Sequence, residues 1–423
     1  MELQAVSPAL QVKPPRILSI DVLRGIVMFT MVFVNDAYGA HGAPNWFKHY
    51  SDIKGNDGDG MTFVDVVFPA FLYIVGMSIP IAIEIRRAKG DSWLKILGHV
   101  LLRTASLIFL GVLMVEGPSD KAMGWKPGLW QMLLFAGALV TFHWLPLKSK
   151  RTQYISLGVR ALGLGLLIYL AFAFRDKHGG WIKHSWWGIL GLIGWAYFGA
   201  TMVYLLLRRV GIEAMVGAVA LLMAVFIADQ ANMFHTIQRW KPTVFGHQFA
   251  VGSWIAIGEA FGSQTAITMM GAVVGAMLLP TSSSQSPVQR IRFGLVFAAM
   301  MCIGALLLHR NFPISKNDAT PTWCLWSAAI TTLLWVVLYL IIDVAGLRAW
   351  AIPIAWAGAS ALMIYILSEG WDIWHEHVRF LQWNWYDRLG EHYPMALWHK
   401  FITAFAISLF AGVIGRIGFK LRL

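Results

Sequence analysis

The sequence predicts an all-α polytopic membrane protein with about twelve transmembrane helices (10–12) and both termini in the cytoplasm. Three observations carry that expectation. Of the 423 residues, 57% are hydrophobic and only 13% are charged, roughly half the charged fraction of a soluble domain. The apolar residues fall in runs of about 20, the length that crosses a hydrocarbon core. Twenty-one Trp and 25 Phe suit aromatic belts at the two membrane–water interfaces. A net charge of +12 would suggest nucleic acid in a soluble chain. Here it reads as Lys and Arg retained on the cytoplasmic face, with membrane lipids as partners and no nucleic acid. Cys302 and Cys324 fall in apolar runs and say little about redox compartment.

A polar tail, residues 1–16, precedes the first run and does not resemble a cleavable signal. The first run, RILSIDVLRGIVMFTMVFVND, ends at Asn35 and Asp36; the second, MTFVDVVFPAFLYIVGMSIP, covers Met61–Pro80. Both carry charges: Asp21 and Arg24 in the first, Asp65 in the second. Ionisable groups in a spanning helix are costly and mark a site or pathway. The loop between them, residues 38–61, offers His41, Asn45, Lys48, His49 and Asp52 among glycines. That is poor core material and suits a reaction site at a membrane surface. A lone loop histidine is as compatible with a solvated residue, yet imidazole is the natural general base near neutrality. Asp21 and Arg24, three apart, share one helix face and read as a structural pair or as a lure for an anion.

Ten further runs centre at 96–116, 128–147, 153–174, 186–207, 212–230, 262–280, 291–309, 323–343, 351–369 and 398–417. The stretch 246–261 reads as an outer-surface or re-entrant piece. Alternate connections are short and basic, among them Arg86-Arg87-Ala88-Lys89 and Lys148-Ser149-Lys150-Arg151. Their denser Lys and Arg put them in the cytoplasm, and the His49 loop then faces the periplasm or a lumen. The large outer loop 370–397 contains the aromatic tract Trp371–Tyr393. It reads as an interfacial anchor or as a stacking platform for sugar rings. His375-Glu376-His377 make a poor metal site, because adjacent side chains diverge on a helix, and no metal is expected. Asn56–Gly60 lacks the spacing of a calcium loop and reads as a turn. The chain has no Walker loop, dinucleotide fingerprint or Gly-x-Ser-x-Gly elbow. A transporter with Asp21, Arg24, Asp65 and Arg160 as a charge relay is the rival class, although no repeated half is evident.

Seven segments carry a resemblance: Ser19–Asn35, WFKH (Trp46–His49), Thr62–Ile79, LLRTASLIFLG (Leu101–Gly111), KPGLWQ (Lys126–Gln131), FPISKN (Phe312–Asn317) and IDVAGL (Ile342–Leu347). On these the chain resembles the transmembrane acyltransferases typified by heparan-α-glucosaminide N-acetyltransferase, in particular their bacterial relatives. The match covers both ends in order and thins between about 150 and 260. The resemblance implies a single membrane domain over 1–423, in a bacterial cytoplasmic membrane, that moves an acetyl group from cytoplasmic acetyl-CoA to a carbohydrate acceptor on the far side. It implies His49 as the catalytic histidine with Asn35 as its partner, the histidine acting as base or as acetylated intermediate. Arg24, Arg103, Arg86 and Arg87 are then candidates for the anionic CoA head, and Asp36, Lys316, Asn317 and Glu369 for the acceptor. A homodimer is compatible with this reading. Gln131-Met132 replaces a Gln-Arg pair of eukaryotic members, which removes one cation.

Overall fold

The structure is a computed structural model that describes residues 17–37, 44–55, 58–115, 126–147, 149–182, 187–241, 243–244, 247–248, 257–284, 286–378 and 394–423. Helix α1 (Leu18–Ala37) starts on a carboxylate from the other end of the chain. The amides of Leu18 and Ser19 donate to Asp343 at 3.2 and 3.1 Å. A helix start has unsatisfied N–H groups and a positive dipole end, and an acid supplies both partner and countercharge. That contact explains why IDVAGL sits where it does.

Beyond the short helix α2 (Tyr50–Lys54) lies α3 (Val64–Ala88), which runs through Pro69 and Pro80. The order continues with α4 (Trp93–Val115), α5 (Pro127–Phe142), α6 (Lys150–Ala173), α7 (Gly188–Leu207), α8 (Ile212–Gln230) and α9 (His235–Arg239). A π-helical segment, Gly258–Gln264, leads into α10 (Thr265–Met277). Then come α11 (Pro287–His309), which opens with a Ser286/Gln289 capping box, and α12 (Pro321–Leu338), which unwinds into a π-turn, Tyr339–Val344. The last helices are α13 (Ala351–Ala359), α14 (Ala361–His377) and α15 (Met395–Arg416). Among the described residues the strands form two short antiparallel pairs, His143–Trp144 with Lys420–Leu421 and Thr243–Val244 with His247–Gln248.

The chain is therefore an all-α multi-pass membrane protein. Among the described residues ten helices are long and apolar enough to span a bilayer, and α13 with α14, bent by 77°, makes an eleventh if counted as one. The twelfth expected run is the shorter helix over Gly128–Phe142. The span expected from 262 begins at Gly258. The end of the stretch read as surface or re-entrant thus belongs to a helix long and apolar enough to span, while 249–256 lies outside the described residues.

The centre of the bundle is where α10 crosses α3. A Cβ on Gly76 would lie 1.8 Å from the Thr268 carbonyl, and one on Gly271 would lie 1.9 Å from that of Tyr73. Only glycine allows the backbones so close, which is how helices pack where lipid offers no hydrophobic drive. Tyr73, Trp323 and Trp335 fill the surrounding core, and the Tyr73 hydroxyl meets Thr332 Oγ1 at 2.6 Å.

Candidate active site

The segment before α3 is built to present one histidine. Phe47 is buried with its ring edge-on to Phe33 and Phe63, both at 5.4 Å. That anchor, within a single 3-10 turn (Asn45–Phe47), delivers His49 to the N-cap of α2. Its Nδ1 lies 2.7 Å from Asp65 Oδ1. Oδ2 of the same carboxylate accepts from the Tyr50 amide at 3.0 Å and from the Thr62 amide and hydroxyl at 2.9 and 3.3 Å. Asp65 is only 1% exposed, and a buried carboxylate is tolerable only when so completely partnered. The carboxylate accepts from Nδ1–H, which leaves the lone pair of His49 on Nε2, the tautomer of a general base.

Lys316 approaches from the connection between α11 and α12. Its Nζ lies 3.1 Å from Nδ1 and 3.2 Å from Nε2 of His49, so its ammonium donates to Nε2. Burial pulls its pKa below the ordinary lysine value, and Asp65 and Asp52 partly offset that. The connection is clasped to the histidine loop. Asp59 accepts from the Ile314 amide at 2.9 Å and meets His309 Nε2 at 2.8 Å, and the Gly60 amide donates to the Ile314 carbonyl at 3.0 Å. The Ile314 amide, with His309, holds the Asp59 carboxyl below its usual range although partial burial opposes them.

His49, Lys316, Asn317 and Asn35 line one cavity of about 400 Å³, with Trp323, Glu259 and Gln264 on its remaining wall. A second cavity of about 260 Å³ is lined by Arg24, Ser78, Arg103 and Tyr365. Met31 lines both, so the two abut inside the bundle. Arg24 donates to Ser78 Oγ at 2.6 Å and pairs with Asp21 at 3.4 Å; Arg103 lies over the Tyr197 ring at 4.7 Å.

The structure thus brings six of the residues singled out from sequence to these two cavities. Four others differ. Arg86 pairs with Asp91 and Arg87 with Glu84, and neither lines the second cavity. Glu369 lies on α14 and is absent from the walls of both cavities. Asp36 belongs to α1, but its side chain, like His41 and the tract 379–393 with Trp383, Trp385 and Tyr386, lies outside the described residues. Trp374, in the described part of that tract, packs edge-on against Phe135. The charges of a transport relay are dispersed: Arg160 donates to the Thr141 carbonyl at 3.0 Å, away from the cavity of His49. Among the described residues no group of three or more His, Cys, Asp or Glu converges as a metal-ligand set.

A family model described as a domain of unknown function, DUF5009, matches residues 16–257. The chain belongs to the DUF5009 family. It is also similar to heparan-alpha-glucosaminide N-acetyltransferase of Mus musculus, 27% identical over 394 residues, which are 84% of this chain and 53% of that protein. It is 37% identical over 116 residues to the Homo sapiens enzyme of the same name, 27% of this chain and 16% of that protein. The chain spans about half the length of the mouse relative and less of the human one. In this DUF5009 chain, sequence reasoning noted Asp65 as a charge within a span and as part of a transport relay, not as the partner of His49, and passed over Glu259 and Gln264.

Proposed function

We propose that this DUF5009 protein is a transmembrane acetyltransferase that takes the acetyl group of cytoplasmic acetyl-CoA and gives it to an amine or hydroxyl of a sugar on the outer face of a bacterial cytoplasmic membrane. One observation carries the reading: a carboxylate-oriented imidazole lines a cavity that abuts another bearing two arginines. The likeness to heparan-alpha-glucosaminide N-acetyltransferase supports acetyl transfer, and the density of Lys and Arg in the alternate loops supports the sidedness.

On this reading Arg24 and Arg103 attract the anionic CoA head to the inner cavity, since guanidinium groups suit phosphate oxygens. Asn35 and Lys316 present N–H donors toward the oxygen of the thioester carbonyl, on which negative charge develops. Nε2 of His49 removes the proton of the acceptor amine or hydroxyl as it attacks the carbonyl carbon, and Asp65 stabilises the imidazolium. As the C–S bond breaks, the imidazolium returns that proton to the thiolate. Lys316 meanwhile must turn its donor from Nε2 to the carbonyl oxygen.

The test is direct. Purified protein in detergent should bind acetyl-CoA by calorimetry and release CoA thiol when glucosamine is added. His49→Ala should keep the binding and lose the release. Failure of the wild type to bind acetyl-CoA, or normal turnover by His49→Ala, refutes the reading.

A further inference from the structure

The cavity of His49 has a wall that the reaction above does not use. Glu259 and Gln264 stand five residues apart in the π-helical segment. On an α-helix that spacing separates side chains by about 140°. The wider i→i+5 turn of a π-helix brings them together instead, and Gln264 Nε2 donates to Glu259 Oε1 at 2.7 Å. The turn is pinned at its start, where the Gly258 amide donates to Asp229 at 2.9 Å, and just beyond its end, where Thr265 donates to the Ala260 carbonyl at 2.6 Å.

The pair leaves one acceptor without a donor. Gln264 is 2% exposed, and its Oε1 is buried with no hydrogen-bond partner. An orphaned buried acceptor is costly, and this one sits beside a carboxylate on the wall of a cavity with room for a ligand. π-Turns of this kind recur at functional sites. A group that satisfies both must bring several N–H donors and positive charge, and an ammonium does. A hydroxyl brings one donor and no charge. The donors of Lys316 and the amides of Asn35 and Asn317 line the same cavity and suit a carbonyl oxygen.

We propose that Glu259, with Gln264 beside it, is the acceptor-selecting site of this cavity: it binds the acceptor as its ammonium, takes one proton from it, and so delivers a neutral amine to His49 and favours amines over hydroxyls. This rests on the acetyltransferase reading for the identity of the acceptor. The alternative is a purely internal pair that fastens the π-turn, and Glu259→Gln separates the two. It removes the charge while keeping an Oε1 to accept from Gln264. Gln264→Met removes the orphan carbonyl and leaves Glu259 charged.

Binding of glucosamine and of glucose to the full chain in detergent should be measured near neutral pH by calorimetry, with acetyl-CoA affinity as the check on folding. Wild type should bind glucosamine at least tenfold more tightly than glucose. Glu259→Gln should lose about tenfold or more for glucosamine alone, and Gln264→Met a smaller part, with acetyl-CoA affinity unchanged in both. Equal binding of the two sugars by wild type overturns the proposal. So does wild-type glucosamine affinity in Glu259→Gln or, should that variant lose acetyl-CoA binding, in Gln264→Met. The two readings fail separately. Glu259-dependent glucosamine binding without any acetyl transfer refutes the transferase alone, whereas transfer to hydroxyls with no preference for amines refutes the selecting site alone.

Discussion

Replacing Asp65 with Asn should disable the histidine without dismantling its loop, and the geometry says why. Three donors, the Tyr50 amide and the amide and hydroxyl of Thr62, converge on Oδ2. Only the carbonyl oxygen of an asparagine can receive them, so its NH₂ is forced into the place of Oδ1, 2.7 Å from His49 Nδ1. The imidazole must then carry its proton on Nε2, the atom required to act as base and the one that faces the Lys316 donor. Loss of the charge on the His49 contact alone costs about 1–2 kcal/mol, the gap between a charged and a neutral hydrogen bond, or roughly five- to thirtyfold. The wrong tautomer adds more; in the worked serine-protease template the corresponding change lowers kcat by about 10⁴. A fall in kcat of about 10²–10⁴ is expected, with acetyl-CoA affinity unchanged because Asp65 does not line the arginine cavity. The assay is CoA thiol release at saturating donor, beside calorimetric binding. A folded Asp65→Asn protein with wild-type kcat would refute the orienting role.

Arg24→Ala and Arg103→Ala should each weaken acetyl-CoA binding by about ten- to hundredfold, the cost of one charge-assisted bond; calorimetry that finds both unchanged would move the phosphate site elsewhere. Turnover should fall at alkaline pH as Lys316 loses its proton, and because burial depresses that pKa, the limb should lie below the ordinary lysine value. Lys316→Arg, which stays protonated, should shift the limb upward or abolish it in a kcat–pH profile; an unmoved limb excludes Lys316 as its source. Met31→Trp should fill the junction of the two cavities and suppress transfer while acetyl-CoA still binds at the arginines. Wild-type turnover in that variant would mean that the thioester reaches His49 by another path.

Much of this arrangement was legible in the sequence, because bilayer thickness fixes the length of an apolar run and so marks each helix. Asn35 and His49 were also readable, one as a polar residue at the end of a span and one through its loop, whereas Lys316 and Asn317 came only through the family resemblance. The partners were not. Asp65 lies one residue into α3, where an acid is explained by the helix dipole alone, and its contact with His49 spans a loop whose path has no periodic signal. Glu259 was hidden because the π-turn breaks the 3.6-residue period used to assign helix faces, so the segment read as surface. Arg86 and Arg87 misled for the opposite reason. Their charge was plain, but Asp91 and Glu84, only a turn away, engage it locally. Asp343 looked like the end of a span and instead starts another helix, more than three hundred residues away in sequence.

Helix α1 ties the chemistry together. Arg24, Met28, Met31 and Asn35 follow one another at steps of four, three and four residues, which places them on one stripe of the helix. The lower three line the arginine cavity, and Met31 and Asn35 line that of His49. From Arg24 to Asn35 the rise is about 16 Å, so a single face of a single helix links the cavity of the arginines to that of the imidazole. Its opposite constraints explain its sequence. Asp343 fixes its start, and Gly358 lets α13 press against it, since a Cβ there would lie 2.0 Å from the Asp21 carbonyl. The Phe33–Phe47 contact then ties its far end to the histidine loop. A helix held at three heights cannot slide or rotate freely, so Arg24 and Asn35 keep their positions relative to the residues of other helices that line the two cavities. On the acetyltransferase reading, transfer between the two cavities depends on that fixity.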